Sequence, residues 1–361
     1  MSTQPAYPEL LGSKNWEGLL NPLDLNLRKL ILGCGNFSQS TGDAFNDDTN
    51  SKYVGSCRYG MNSLFDKVFL ASASDYQIVA FLYASAKIDG LEAVIPQQEI
   101  QGAWDNGQSN WMGFIAVTTD DVSKANGRRE IYVAWRGTKL IVEALADLSF
   151  FLVDAKPLLA ADNQSDISFL NNPQVMDGWL KVYTSDNSDS QFANTSARTQ
   201  LLTKIKELVN QYQNEELSLI FTGHSLGAVL AGLSAFDVAE NVTKDIPVAA
   251  FVFAMPKLGW PWIGYTTVGT ELVLDNTKPP SLTSSQKRQT HDLETLLYTV
   301  AGWNGRDADF ELKVPRSLGL VNKNSSLIKT EYGYPQNWWV EKNKGMVLDN
   351  GDWIPALPFL D

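Results

Sequence analysis

A serine between two glycines is the residue of this chain that most directly suggests chemistry. The stretch GHSLG, residues 223–227, follows the apolar stretch LSLIFT and precedes the small-residue stretch AVLAGLSA. A serine at a sharp turn from a strand into a helix is held in a strained geometry that exposes its hydroxyl, and the helix N-terminus favours negative charge. The pattern predicts that Ser225 is a nucleophile. The alternative is a tight turn with an incidental serine.

A serine hydroxyl needs a base to take its proton, and the chain has two histidines. His224 adjoins Ser225, where neighbouring side chains diverge, so we expect it to pack beneath the turn. His291 lies 66 positions after Ser225 (291 minus 225) and opens the helical pattern DLETLLYTVAG. Elimination favours His291 as the base, and the alternative is an ordinary surface or helix-capping histidine.

Negative charge on a substrate oxygen needs two N–H donors. One is expected from Leu226, the residue after the nucleophile. The other is expected from Thr138, because the strand pattern EIYVAW ends in Arg136-Gly137-Thr138. The alternative makes Arg136 a structural ion-pair residue and Gly137 a turn residue, and both interpretations can hold together. No CxxC or HxxxH pattern suggests a metal, so no metal or organic cofactor is expected.

The surrounding pattern predicts the elements that position these residues. Helical periodicity over 195–212, a strand over 217–222, a helix over 228–240 and a strand over 248–254 indicate an open α/β sheet covered on both faces. Residues 111–117 and 130–135 are predicted to be neighbouring strands joined by the turn DDVSKANGRR, and residues 75–88 to be a buried helix.

Composition limits the classes of partner. The chain has 361 residues, 44% of them apolar, and 29 basic against 41 acidic residues give a net charge of −12. Because a negatively charged chain repels phosphate groups, this charge argues against nucleic acid as a partner and against electrostatic docking on anionic membranes. Two cysteines, Cys34 and Cys57, fit a reducing compartment. With no leader pattern and no run of about 20 apolar residues, we expect a cytoplasmic protein.

Several collinear motifs resemble the class 3 lipases, and among them the plant phospholipase A1 class II enzymes. The motifs are WEGLLNPLDLNLRKLI, DAFNDDTNSKYVGSCRYG, VAWRGT, GHSLGAVLAGLSAFDVA, PVAAFVFAMPKLG, HDLETLLYTVAGW, LGLVNKNSSLI and WWVEKNKGMV, which cover nearly the whole chain. The resemblance implies an α/β-hydrolase fold with a mostly parallel central sheet flanked by helices. It also implies one domain over 1–361, with a core at about 75–320, an N-terminal helical extension at about 1–70 and irregular C-terminal decorations.

The same resemblance implies a mechanism and a substrate. It places the nucleophile on Ser225, the base on His291 and the oxyanion threonine on Thr138. The implied reaction is hydrolysis of the sn-1 acyl ester of a glycerolipid without a cofactor. It allows transient contact with a membrane surface and implies no obligate protein partner.

The chain departs from the family where relatives carry the acid of the catalytic triad. Only Trp260-Pro261-Trp262 separates PKLG from IGY, and no acidic residue lies there. Asp275, sixteen positions before His291, is the tentative substitute, and Glu271 is a second candidate. The alternative makes Asp275 a solvated loop residue. Asp292 adjoins His291 and is expected to point away from it.

Two further departures concern MDGW at 176–179, where relatives commonly carry a histidine, and VEALADL at 142–148, where they usually present a tryptophan. Three functions therefore stay open at this point. They are an ester hydrolase, an acyltransferase that uses the same acyl-enzyme, and a degenerate lipase that binds a lipid or a partner.

Overall fold

The computed structural model describes residues 4–86, 104–137, 152–155, 158, 174–256, 269–283, 291–339 and 345–356. These residues form two compact units. The first contains residues 1–35 and 268–361, and the second contains residues 36–267. The prediction of a single domain stays a prediction, and each unit is described by itself below.

A five-stranded sheet organises the unit of residues 36–267. In chain order, the strands of the described residues are β1 (Tyr76–Ser85), β2 (Ser109–Thr118), β3 (Arg129–Trp135), β4 (Leu152–Asp154), β5 (Gln174–Met176), β6 (Leu217–His224), β7 (Val248–Phe253), β8 (Met346–Asp349) and β9 (Asp352–Pro355). The sheet order is β1-β2-β3-β6-β7, whereas β4 pairs with β5 and β8 with β9. Within the sheet, β2 is antiparallel to both neighbours, and β3, β6 and β7 are parallel. Four of the five strands therefore run in the same direction.

The central strands are buried on both faces. Every residue of β2 and β3 is buried, as is every residue of β6 before His224. Continuous apolar strands are typical of a sheet covered by helices on both sides. The predicted α/β class and the predicted strands in β2, β3, β6 and β7 are confirmed.

The prediction of a helix over 75–88 is wrong. Residues 76–85 form β1, which pairs with β2 from Tyr76↔Thr118 to Ser85↔Ser109, with two shifts of register. A short apolar run does not distinguish a buried helix from a buried strand. The neighbouring strand decides, because β2 supplies hydrogen-bond partners along the length of this segment.

The helices of the chain agree better with the sequence patterns. Those that the structure describes are α1 (Tyr7–Leu10), α2 (Leu25–Ala44), α3 (Leu64–Lys67), α4 (Asp120–Asn126), α5 (Asp177–Thr184), α6 (Ala197–Gln211), α7 (Leu226–Asn241) and α8 (Leu293–Gly302). The predicted helices over 195–212 and 228–240 are α6 and α7. The predicted turn between β2 and β3 contains the short helix α4, which ends at Gly127 with a left-handed φ of 68°.

A buried carboxylate joins three helices behind the sheet. Asp237 on α7 is fully buried and accepts two hydrogen bonds from Arg198 on α6, at 2.7 and 2.9 Å. It also accepts one from the Tyr183 hydroxyl on α5 at 2.8 Å and one from the Asn241 amide at 2.6 Å. Because a buried charge needs such partners, the network fixes α5 and α6 against α7.

The other unit is built around α8. The guanidinium of Arg28, on the first part of α2, is buried and donates to the carbonyl oxygens of Val300 and Trp303 at the end of α8. At the other end of α8, the Glu294 carboxylate pairs with buried Arg316. Cations favour helix C-termini, where carbonyls lack helical partners. Among the described residues, no helix combines the length and apolarity needed to cross a membrane.

Candidate active site

Ser225 occupies the sharp turn that the sequence predicts. The strand β6 ends at His224, α7 begins at Leu226, and Ser225 between them has φ 61° and ψ −119°. This backbone conformation is rare for any residue other than glycine and costs about 1–3 kcal/mol. The Ser225 N–H donates to the Phe253 carbonyl of β7 at 3.0 Å. The sheet therefore holds the serine in the strained position.

Two glycines allow this turn to form. A Cβ on Gly223 would overlap the backbone of Gly227 and the nitrogen of Ala228. A Cβ on Gly227 would overlap the Trp135 carbonyl at the end of β3. Both positions require glycine because α7 starts directly against the ends of β6 and β3.

The helix that follows Ser225 supplies N–H donors. Ser225 is the N-cap residue of α7, and its carbonyl accepts from Ala228 at 3.0 Å and Val229 at 3.4 Å. The N–H groups of the first helical residues, Leu226 and Gly227, have no partner within a helix. Together with the helix dipole, they make this end of α7 suitable for stabilising an oxyanion. The Ser225 side chain makes no capping hydrogen bond and is fully buried.

The end of β3 lies against the serine turn. A Cβ on Gly137 would lie 2.6 Å from the His224 carbonyl oxygen and 3.6 Å from the Ser225 Cβ. Before it, the Trp135 indole donates to the Ser234 hydroxyl of α7 at 2.9 Å. The residues VAWRGT thus approach Ser225 as predicted, up to Gly137. Thr138 lies outside the described residues, as does VEALADL, so the role predicted for Thr138 stays a prediction.

Ser234 and Trp135 are positioning residues that the sequence analysis missed. Ser234 is one turn further along α7 from Leu230, to whose carbonyl its hydroxyl donates at 2.6 Å. A serine inside an apolar helix is a weak signal by itself. Its contact with Trp135 depends on how α7 packs on β3, which the local sequence does not report.

His291 lies in the unit formed by residues 1–35 and 268–361. It immediately precedes Asp292, the N-cap of α8, whose carboxylate accepts from the Thr295 N–H at 2.8 Å and hydroxyl at 2.7 Å. The predicted helix start is confirmed, and Asp292 is engaged in capping. Burial lowers the pKa of His291 below its ordinary value. Burial raises the pKa of Asp292 to about 6.

The carboxylate of Asp275 is engaged in a local turn. It accepts from the Thr277 N–H at 2.9 Å and from the Thr277 hydroxyl at 2.6 Å. These two hydrogen bonds lower the pKa of Asp275. The two hydrogen bonds give the Asp275 carboxylate a structural role in this turn, and Glu271 is exposed. The assignment of either residue as the acid of the triad stays a prediction.

The position of the missing family histidine begins a helix. Asp177 is the first residue of α5 and pairs with Lys181, four residues later, at 2.6 Å. This exposed pair stabilises the first turn of α5. It takes no part in the Ser225 turn that the structure describes.

A polar groove of the described surface lies away from Ser225. Its volume is about 880 Å³, and it is lined by charged residues around the amino ends of β3 and β6, among them Arg129 and Glu215. The register pairs Arg129 with Leu217 and Trp135 with Gly223, so this groove and Ser225 are at opposite ends of the two strands. Catalytic sites of open α/β sheets lie at the carboxyl ends, where Ser225 is.

Comparison with known proteins agrees with this site. The sequence model of the family described as Lipase (class 3) matches residues 132–261, which include the second half of β3, the Ser225 turn and β7. The chain is 43% identical over 401 residues to phospholipase A1-IIdelta of Arabidopsis thaliana, covering 98% of this chain and 97% of that protein. It is 41% identical over 389 residues to phospholipase A1-II 5 of Oryza sativa subsp. japonica, covering 96% of this chain and 82% of that protein.

A weaker likeness links the chain to a solved structure, the Lip2 lipase from Yarrowia lipolytica. The two are 16% identical, with a TM-score of 0.40, over 67% of this chain and 64% of that one.

The alignment with the Arabidopsis protein is longer than this chain. It runs over 401 positions, and the chain has 361 residues, so at least 40 positions (401 minus 361) face no residue here. That the acid-bearing segment of the family is among these positions stays a prediction.

Proposed function

The chain belongs to the plant phospholipase A1-II family of class 3 lipases, and we propose that it releases the fatty acid esterified at the sn-1 position of glycerolipids. Family membership makes it a serine-dependent acyl ester hydrolase with an α/β-hydrolase fold. The names of its relatives support the phospholipid substrate and the sn-1 position. The observation that carries the proposal is the geometry of Ser225, a buried serine held at φ 61° directly before a helix.

In the proposed reaction, the Ser225 hydroxyl attacks the ester carbonyl while His291 accepts its proton. The N–H groups of Leu226 and Thr138 stabilise the negative charge on the carbonyl oxygen. His291 then gives the proton to the leaving glycerol oxygen, and an acyl-enzyme remains on Ser225. Water attacks the acyl-enzyme with His291 as base, which releases the fatty acid and restores the serine.

A positional assay tests this proposal. The substrate is phosphatidylcholine with different fatty acids at sn-1 and sn-2, presented in mixed micelles. We expect the wild type to release the sn-1 fatty acid and leave a lysolipid that keeps the sn-2 chain. Ser225→Ala should release neither. Release of the sn-2 chain first would contradict the proposed position, and hydrolysis by Ser225→Ala would contradict the proposed nucleophile.

One observation favours a second candidate, a degenerate lipase that binds lipid and turns over slowly. At least 40 positions of the alignment with the Arabidopsis protein face no residue of this chain, and the sequence carries no acidic residue between PKLG and IGY. A fluorophosphonate probe separates the two candidates, because it reacts with an activated serine in a single turnover. Rapid labelling at Ser225 with measurable ester turnover supports the hydrolase. Lipid binding without labelling supports the degenerate form.

We also propose a cytoplasmic location and transient contact with lipid surfaces. The two cysteines, Cys34 and Cys57, are not in disulfide bonds, which supports a reducing compartment. Three large apolar side chains exposed within residues 53–69, those of Tyr53, Met61 and Phe69, support a surface contact. Fractionation of plant cells expressing the tagged chain, and flotation with phosphatidylcholine vesicles, test the two proposals.

A further inference from the structure

A buried cation adjoins the proposed oxyanion site. Arg136, the residue after β3, is 3% exposed. Its Nε donates to the Trp111 carbonyl at 2.9 Å and one terminal nitrogen donates to the Gly137 carbonyl at 2.8 Å. The other terminal nitrogen lies 3.4 Å from the Met112 sulfur, and the guanidinium stacks 3.7 Å from the centre of the Phe45 ring.

Arg136 keeps its charge in this environment. Burial lowers its pKa to about 9, which still leaves the guanidinium protonated at neutral pH. The acidic residue that acts on it electrostatically is Asp47, whose carboxylate is paired with Arg58 at 2.9 Å. In the part of the chain described, the direct partners of Arg136 are thus two carbonyls, a sulfur and a ring. A buried cation held in this way is expensive, and its place beside a reactive turn calls for a function.

The carbonyl that Arg136 holds belongs to the backbone that meets Ser225. Gly137 lies so close to the turn that a Cβ there would stand 3.6 Å from the Ser225 Cβ. The Gly137 carbonyl that accepts from Arg136 thus belongs to backbone packed against the peptide between His224 and Ser225. A hydrogen bond that fixes this carbonyl limits how far the Gly137 backbone can move away from the turn.

We propose that Arg136 is a positioning residue for ester cleavage, because its guanidinium holds the Gly137 carbonyl and thereby keeps the Gly137 backbone packed against the Ser225 turn. The inference rests on the proposed function and adds to it a residue that never touches the substrate. Of the two hydrogen bonds that the Arg136 guanidinium donates to carbonyls, the one to Trp111 is structural and the one to Gly137 serves catalysis.

The chain offers a matched control at the other end of β3. Arg129 is also buried, at 4% exposure, and its guanidinium also stacks on a ring, 4.0 Å from the centre of Tyr212. It pairs with the carboxylates of Glu215 and Asp120, at 2.8 and 2.7 Å, and lies in the polar groove far from Ser225. Arg129→Met therefore removes a buried, stacked cation of the same strand without touching the Ser225 turn.

The experiment compares Arg136→Lys, Arg136→Met and Arg129→Met. We measure kcat and KM on a soluble aryl ester, the rate of fluorophosphonate labelling at Ser225, and the melting temperature. Lysine keeps the positive charge, but its single ammonium nitrogen cannot donate to both carbonyls as the planar guanidinium does. For both Arg136 variants we expect kcat and the labelling rate to fall by roughly tenfold to a hundredfold, with KM within about twofold of wild type. For Arg129→Met we expect a lower melting temperature with both rates unchanged.

Three results would overturn the proposal. Folded Arg136→Lys with wild-type kcat and labelling rate removes the positioning role. Equal loss of rate in Arg129→Met makes the effect a general consequence of instability. If neither Arg136 variant folds, Phe45→Leu decides: it loosens the stacked guanidinium, so a wild-type labelling rate there overturns the proposal and a rate at least threefold lower supports it. A wild type that neither labels nor hydrolyses defeats the proposed function instead.

Discussion

At the residue scale, the conformation of Ser225 separates its role in chemistry from its role in stability. The residue is the N-cap of α7, a position where serine usually accepts a hydrogen bond from the helix, but here the side chain makes no such bond. Ser196 is the N-cap of α6 and does accept one, from the Thr199 N–H at 3.2 Å. The two serines occupy equivalent helix positions and should respond differently to the same substitution.

We predict that Ser225→Ala abolishes ester hydrolysis and changes the free energy of unfolding by less than about 0.5 kcal/mol, because no capping bond is lost. Ser196→Ala should keep full activity and lose about 1 kcal/mol of stability. Ser225→Gly should be more stable than the wild type by about 1 kcal/mol or more, since glycine adopts φ 61° without strain. Urea unfolding and an aryl ester assay measure both properties. Loss of activity in Ser196→Ala would contradict the distinction between a catalytic serine at 225 and a helix-capping serine at 196.

We expect the protonation of His291 to determine the pH dependence of the activity. Burial lowers the pKa of this imidazole, and the base must be neutral to accept the serine proton. We predict that kcat/KM rises with pH through a midpoint below about 6.5, the ordinary value for histidine, and is flat above it. His291→Ala should remove the activity. A midpoint above 7 would show that a carboxylate raises the pKa of the imidazole.

The free energy of unfolding should also depend on the protonation of His291. The pKa of His291 is lower in the folded chain than in the unfolded one, so the unfolded chain binds more protons over the range between the two values. This histidine therefore contributes stability that is present above about 6.5 and is lost as the pH falls through the folded-state pKa. Comparison of the wild type with His291→Gln over this range isolates the contribution.

At the scale of elements, the Asp237 network determines where α7 lies and hence where Ser225 lies. Four of its hydrogen bonds reach Asp237 from three other side chains. The carboxylate and Ser225 are on the same helix, twelve positions apart (237 minus 225). The network thus anchors the helix that begins directly after Ser225.

We predict that Asp237→Ala lowers the free energy of unfolding by about 3–5 kcal/mol, because Arg198 becomes a half-buried cation without a partner. Tyr183→Phe removes one hydrogen bond to the carboxylate and should lower it by about 1–2 kcal/mol. Glu207→Ala, which breaks the exposed pair with Lys204 on α6, is the control and should change stability by at most about 0.5 kcal/mol. Similar losses in all three variants would contradict a special role for the buried network.

At the scale of the whole molecule, the question is what supports His291. The motifs predict that the acid-bearing segment of the family is missing between Gly259 and Ile263. The Asp275 carboxylate accepts two hydrogen bonds from Thr277 in a local turn. We therefore expect the serine and the histidine to operate with the oxyanion donors and without the family's acid.

We predict that Asp275→Asn leaves kcat unchanged, because asparagine keeps the turn oxygen and no charge is used. Insertion of the corresponding segment of the Arabidopsis relative between Gly259 and Ile263 should raise kcat by up to roughly 10³–10⁴, the contribution that an acid makes in other triads. The same insertion with its aspartates changed to asparagine is the control. A drop in kcat of roughly 10³ or more in Asp275→Asn would instead make Asp275 the acid.

The amino-acid sequence by itself determined the features that depend on neighbours along the chain. The buried strands β2, β3, β6 and β7, the helices α6, α7 and α8, and the glycine-flanked turn at Ser225 follow from apolar patterns and from the small residues beside the serine. These are local properties, because a residue's backbone preferences and the period of its apolar neighbours act over a few positions.

Only the tertiary structure decided the features that depend on what lies across the sheet. Residues 76–85 form a strand because β2 lies beside them. Arg136 matters because its carbonyl partners are Trp111, from β2, and Gly137, which rests on the turn after β6. Asp237 is held by residues of two other helices. The contacts of Arg136 with Trp111, of Gly137 with the turn after β6, and of Asp237 with the two other helices join residues far apart in sequence, and packing brings these residues together.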